Sequence, residues 1–204
     1  MLRFGPAGAA TVAMAPPLFE EHNRVRALVA RLCRLLAARG IASVLPDLPG
    51  QSESLMPLDI VPLADMRAAF AAAVASSGAQ FGVAIRSGAL LDEAATLAAR
   101  WHLAPQTGAA LLREGARARL AAGEADATVV AGNRLSAAML DDLTGAEPLA
   151  GDGVRVVRLA DDPATADARV PGAPLWRRAE PGDDRALAAL LADDIAGWIE
   201  RCGG

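Results

Sequence analysis

The residues Ala84-Ile-Arg-Ser-Gly88 form the segment most able to carry chemistry. An apolar run ends there and helical patterning begins, which is the setting of a nucleophile elbow. In such a turn, small residues two before and two after the tip relieve crowding around a strained central residue. Here those small residues are Ala84 and Gly88, so the spacing puts Arg86 at the tip. Centring on Ser87 would leave Ile85 as a flank, and Ile85 is too large for a close turn. A serine nucleophile also needs a histidine base, oriented in turn by an acid. The chain has two histidines, His22 and His102. In the order that accompanies this elbow, acid and then histidine follow the nucleophile. Only His102 follows Ser87, inside an apolar run between Trp101 and Leu103. The position after the last strand pattern holds Glu180-Pro-Gly-Asp-Asp184 instead of a histidine. Asp162, just after a strand pattern, suits the acid. The catalytic candidates are therefore Ser87 and Asp162, with the base missing.

The same residues support binding readings. Arg86 either forms a structural ion pair with Asp47, Asp161 or Asp162, or presents its guanidinium to a carboxylate or phosphate. Ser87 reads equally as a helix N-cap. His22 lies near a helix start, on the surface or lining a crevice, and His102 reads as a satisfied core histidine. Glu20 and Glu21 favour the dipole of the helix they open. The ligand-binding candidates are Arg86, His22, Glu21 and Asp47. Asp162 before Pro163 is also an ordinary turn former. No G-x-G-x-x-G follows a strand pattern and no P-loop is present. Pro16 and Pro17 stand where a phosphate cradle needs backbone N–H groups, so no nucleotide cofactor is expected. All twenty basic residues are Arg, which excludes lysine chemistry. Glu20, Glu21 and His22 are adjacent and point apart on a helix, so no metal site is expected.

Alternating elements must position these residues. Thr11 to Ala15 reads as a buried strand stopped by prolines. Glu20 to Arg39 has helical spacing, with Gly40 suited to its end. Ile41 to Pro46 is a second strand, and Leu63 to Ala75 an Ala-rich helix. Phe81 to Ile85 is a strand, Gly88 to Ala99 a helix, Arg100 to Ala104 a strand and Ala109 to Ala122 a helix. A short strand over Thr128 to Ala131 and a short helix over Ser136 to Thr144 follow. Val154 to Leu159 is a strand, Leu175 to Arg178 a weaker one, and Arg185 to Arg201 a closing amphipathic helix. This alternation predicts an α/β fold, a mostly parallel sheet with helices on both faces. Ligands in such sheets sit beyond the carboxyl ends of the strands. The residues from Gln106 to Gly151 read as a small helical lid within a single domain spanning 1–204.

Composition narrows the class. The chain has 204 residues, 53% hydrophobic and 22% charged, with a net charge of −4. That balance suits a globular protein and disfavours a general nucleic-acid binder. Two cysteines, Cys33 and Cys202, give no disulfide framework. The opening stretch is too weak for a signal peptide, and no uncharged run is long enough to span a membrane, so a cytoplasmic location is expected. Association into a homo-oligomer stays open.

Two segments also resemble a known group. Pro16-Pro-Leu-Phe-Glu-Glu-His-Asn-Arg-Val-Arg26 and Leu45-Pro-Asp-Leu-Pro-Gly50 resemble the exosortase A system-associated hydrolases of the second type, a branch of the α/β-hydrolases. The match is best over about residues 11 to 54 and fainter over 81 to 120 and at Pro174-Leu-Trp-Arg177. The resemblance implies an α/β-hydrolase fold and a genomic role near exopolysaccharide export and protein sorting. The elbow of that branch likewise carries Arg between small residues, with Gly where Ala84 stands here. Two functions follow. One is a hydrolase-like protein with a degenerate elbow that binds a small anionic or acyl ligand; the other is an active esterase or thioesterase with an atypical site.

Overall fold

The computed structural model describes residues 1–51, 54–178 and 180–203. In chain order the strands are β1 (Leu2–Phe4), β2 (Thr11–Ala15), β3 (Ala42–Leu45), β4 (Phe81–Ile85), β5 (Ala99–Leu103), β6 (Val129–Val130), β7 (Asn133–Arg134), β8 (Val154–Leu159) and β9 (Ala168–Val170). The helices are α1 (Glu20–Ala38), α2 (Leu63–Ser77), α3 (Gly108–Ala121), α4 (Ala137–Gly145) and α5 (Arg185–Cys202). Seven strands form one sheet in the order β1-β3-β2-β4-β5-β8-β9, and β6 and β7 make a separate hairpin. Only β1 runs antiparallel to its neighbour in the large sheet.

The period-two alternation of the strands builds two cores. Val12 and Met14 of β2 and Val83 and Ile85 of β4 face α1 and α5. Ala13, Ala15 and Ala84 face the other way, toward α2, α3 and α4. Helices therefore cover both faces of a mostly parallel sheet, as the alternation in the sequence predicts. β2 is followed by β3 on one side and β4 on the other. The chain thus reverses direction across the sheet between β2 and β4, where Ala15 pairs with Ala84. Loops diverge above such a switch point and leave a crevice.

Several elements differ from the sequence expectations. The helix expected over Gly88 to Ala99 is a single 3-10 turn, Arg86–Leu90. Helical propensity loses here to a buried polar contact. The Asp92 carboxylate turns inward to His102, 2.8 Å away, and Arg100 donates to the carbonyls of Asp92 and Ala95, which a helix would have used internally. The strand expected over Leu175 to Arg178 is a 3-10 turn, Leu175–Arg177, held after Pro174. The edge strands β1 and β9 have three residues each, too few for a readable alternation.

Asp194 of α5 ties this helix to the sheet. It accepts from Trp101 Nε1 at 2.7 Å and from Arg155 at 2.7 and 3.0 Å. Burial raises its carboxyl, but the bonds from Arg155 and Trp101 outweigh this and hold it below the ordinary aspartate value of 3.8. A depressed folded-state value contributes stability above the unfolded value, and that stability is lost as pH falls through the folded one. Asp194→Asn is expected to cost about 1–3 kcal/mol near neutral pH, the range for charged hydrogen bonds. Urea unfolding at about pH 7 and about pH 3 checks this. The gap from the parent protein should narrow in acid, and an equal gap at both pH values rejects the ionic account.

Gly88 sets the approach of the elbow to β2. A Cβ at Gly88 would lie 2.0 Å from the Ala15 carbonyl oxygen and 2.6 Å from that of Pro16, and neither backbone can yield. Gly88→Ala is expected to destabilise by more than about 3 kcal/mol. Gly145→Ala, where nothing lies within 4 Å, should stay within about 0.5 kcal/mol. Comparable unfolding midpoints for the two variants would show that the close approach is not required.

Candidate functional site

The carboxyl ends of β2 and β4 bring the loop 16–19 and the elbow together at the switch point. Arg86 follows β4 with φ 56, a left-handed conformation that non-glycine residues seldom adopt. The tip of the turn is therefore Arg86, where the small-residue spacing puts it. Its guanidinium is buried and points to carboxylates. Nε and Nη2 donate to the two oxygens of Glu21 at 3.2 and 3.3 Å, and Nη2 donates to Glu114 at 2.9 Å. The guanidinium carbon also lies 5.3 Å from the centre of the Trp176 ring, a cation–π contact. Among the described residues Nη1 has no hydrogen-bond partner.

The two carboxylates differ in how firmly they are held. Glu21 opens α1 and its side chain is 14% exposed. Burial pushes its carboxyl above the ordinary range; Arg86 opposes that shift and Glu114 adds to it. Glu114 comes from the middle of α3 and is 42% exposed. The segment 106–151 thus reaches the elbow through Glu114.

Ser87 does not cap a helix. Its side chain is fully buried, and its Oγ accepts from the Leu18 backbone N–H at 2.9 Å. In a working elbow, the N–H of the residue after the nucleophile and an N–H from the loop after the neighbouring strand hold the developing oxyanion. Ser87 follows the tip and Leu18 sits in that loop, so one of these two donors is engaged by a side chain of the protein itself.

The other sequence candidates lie elsewhere. Asp47 pairs with the amino terminus and not with Arg86. Asp162 accepts from Arg158 at 2.8 Å and from the Ala164 N–H. Burial raises its carboxyl, but these bonds hold it below the ordinary range. The ion pair of Arg86 therefore forms with Glu21 and Glu114 and not with Asp47, Asp161 or Asp162. His22 lines a shallow pocket with Asn23, Gln51 and Asn133, while burial lowers its ring below the ordinary value and the Pro17 carbonyl opposes the shift. His102 is buried with Nε2 on Asp92, within a cluster that includes Arg100. The structure brings Arg86 and Glu21 into direct contact, keeps Ser87 beside Arg86 in the elbow and Asp162 on a cavity that Arg86 also lines, and places Asp47 and His22 elsewhere. Glu114 joins the site from an Arg/Ala-rich helical pattern with no motif to mark it, and Trp176 from the Pro174-Leu-Trp-Arg177 segment, whose resemblance assigns it no role at the site.

Two cavities flank Trp176 and Arg177. The larger, about 860 Å³, is lined by Leu18, Phe19, Leu111 and Val129 together with Glu21 and Glu114. Exposed Arg117 and Arg177 also line it, and neither has an ion-pair partner among the described residues. The smaller, about 160 Å³, is lined by Arg86, Asp161, Asp162 and Pro174. Arg86 opens onto the small cavity. Its two carboxylate partners face the large one. Among the described residues no helix is long and apolar enough to cross a membrane.

No protein-family model matches the chain, and a search of curated proteins finds no match. Solved structures do resemble it. A carboxylesterase from Nitrososphaera gargenis has a TM-score of 0.62 at 11% identity, over 99% of this chain and 94% of that one. Est1E from Butyrivibrio proteoclasticus, solved with ferulic acid bound, has a TM-score of 0.62 at 13% identity, over 98% and 93%. An α/β-hydrolase fold protein from Burkholderia ambifaria has a TM-score of 0.55 at 15% identity, over 94% and 92%. Together with the parallel sheet, its switch point and the elbow after β4, these likenesses show that the chain has the α/β-hydrolase fold.

Proposed function

We propose that this protein is a non-catalytic binding member of the α/β-hydrolase fold, taking a small anionic or acyl ligand in the crevice around Arg86. The observation that carries the reading is the tip of the elbow itself. A guanidinium stays protonated at any physiological pH and has no lone pair to attack a carbonyl. What it offers is a planar donor array suited to carboxylate or phosphate oxygens. The buried Ser87 hydroxyl satisfies the Leu18 N–H, and His102 is turned to Asp92, so the hydroxyl, the donor and the imidazole of an acyl-transfer site have other partners. In this reading the segment 106–151 acts as a lid over the ligand. The resemblance to the exosortase-associated branch supports a role beside exopolysaccharide export and protein sorting, and the weak apolar character of the opening stretch supports a cytoplasmic setting.

Two measurements test the proposal. With short p-nitrophenyl esters, the parent protein and Ser87→Ala should both hydrolyse no faster than buffer. Turnover abolished by Ser87→Ala would establish a serine nucleophile and defeat the binding-only reading. For the ligand, thermal unfolding should shift upward by several degrees when anions are added at about a hundred times their dissociation constant. The shift should vanish in Arg86→Gln and persist in Arg113→Ala, an exposed arginine that lines neither cavity. A shift of equal size in Arg86→Gln would remove Arg86 from the site.

A further inference from the structure

We infer that Glu114 is an internal stand-in for the ligand's own head group, and that the ligand is a carboxylate with an apolar chain. The inference rests on the binding reading above and adds to it the ligand class and the way the site opens. Three observations lead to it. Glu21 meets the guanidinium through two oxygens from the first turn of α1 and is almost fully covered, so it belongs to the fixed wall. Glu114 makes one bond, to Nη2, from a side chain 42% exposed. Finally, Glu21 and Glu114 line the 860 Å³ cavity and Arg86 does not, so the carboxylates stand between the guanidinium and that space.

Movement of Glu114 away from Nη2 would open the guanidinium to the large cavity. The group that took its place would have to match what left: a planar carboxylate accepting from Nη2, beside the second carboxylate of Glu21. A monoanionic head fits that place better than a dianion, because Glu21 repels additional charge. Behind the head, Phe19, Leu111, Val129 and Trp176 line the same cavity among charged side chains such as Arg117 and Arg177, give an acyl chain apolar patches to lie on, and leave room for one. Since Glu114 sits on α3, a ligand that displaces it also removes the ion pair between α3 and the elbow. Binding and loosening of the segment 106–151 are then one event, and Glu114 competes with the ligand for the same donor.

Calorimetric titration of the full chain with decanoate and with inorganic phosphate tests this, alongside hydrogen exchange of the α3 amides. Glu114→Ala should bind decanoate about tenfold more tightly than the parent protein, within the usual range of coupling between competing groups. Decanoate should speed exchange in α3 of the parent protein, and in Glu114→Ala that exchange should be fast already. Arg86→Gln should bind neither probe. Unchanged or weaker decanoate binding in Glu114→Ala, with binding still lost in Arg86→Gln, overturns the stand-in while leaving an anion site at Arg86. Phosphate bound more tightly than decanoate overturns the ligand class. No binding of either probe to the parent protein or to Glu114→Ala overturns the binding reading itself.

Discussion

The Arg86 guanidinium lies buried at the carboxyl end of β4, against two carboxylates and the face of an indole. A charge removed from water in this way needs nearly complete pairing, because the desolvation cost otherwise exceeds any single contact. The backbone adds a second cost. A non-glycine residue at φ 56 gives up about 1–2 kcal/mol relative to an ordinary conformation. Several features of the surrounding chain make sense as consequences. Phe19 also takes a positive φ, 58, as the chain turns into α1 and delivers Glu21 to the guanidinium. Gly88 lets the elbow press against the end of β2. The turn Leu175–Arg177 lays Trp176 against the cation. α3 contributes the remaining carboxylate.

A cation at an elbow would normally conflict with the helix that follows, whose first turn carries partial positive charge. The chain resolves the conflict by having almost no helix there. Arg86–Leu90 is one 3-10 turn, and the chain then bends so that Asp92 reaches His102 and Arg100. The truncated helix and the arginine at the tip are thus mutually consistent. A full helix would leave the guanidinium facing its dipole, and a neutral tip would need no such truncation.

Much of this architecture was legible in the sequence. Phe81 to Ile85 is an apolar run and Val154 to Leu159 a β-branched, Val-rich one interrupted by Arg155 and Arg158, and both form strands over those same residues. Glu20 onward has a helical stripe long enough to be unambiguous. The small residues at 84 and 88 locate the tip of the elbow, and at Gly88 the crowding that dictates a small residue comes from the Ala15 and Pro16 carbonyls at the end of β2. What escaped were features decided by distant residues. Glu114 and Trp176 lie 28 and 90 positions beyond Arg86, and only the folded chain makes them neighbours. Asp92 breaks an otherwise acceptable helical pattern because His102, ten residues on, is buried beside it. Aspartates after strands are the natural local partners for Arg86, whereas its carboxylates come from two helices, α1 and α3, that meet at the carboxyl ends of β2 and β4.

The contact between Ser87 and Leu18 ties the elbow to the loop after β2. A backbone N–H aimed into a substrate pocket is tolerable when water or substrate can reach it, and expensive when it is enclosed without an acceptor. Leu18 is completely buried here, so its N–H requires a partner inside the protein. Ser87 supplies one through an oxygen that is itself buried. The arrangement is self-sufficient: the Leu18 N–H is satisfied within the protein, and the Ser87 hydroxyl oxygen is the acceptor. Breaking that bond or replacing Arg86 would each leave a buried polar group without its partner. The guanidinium at the tip and the filled donor next to it therefore reinforce each other in fixing the elbow against α1, α3 and the end of β2.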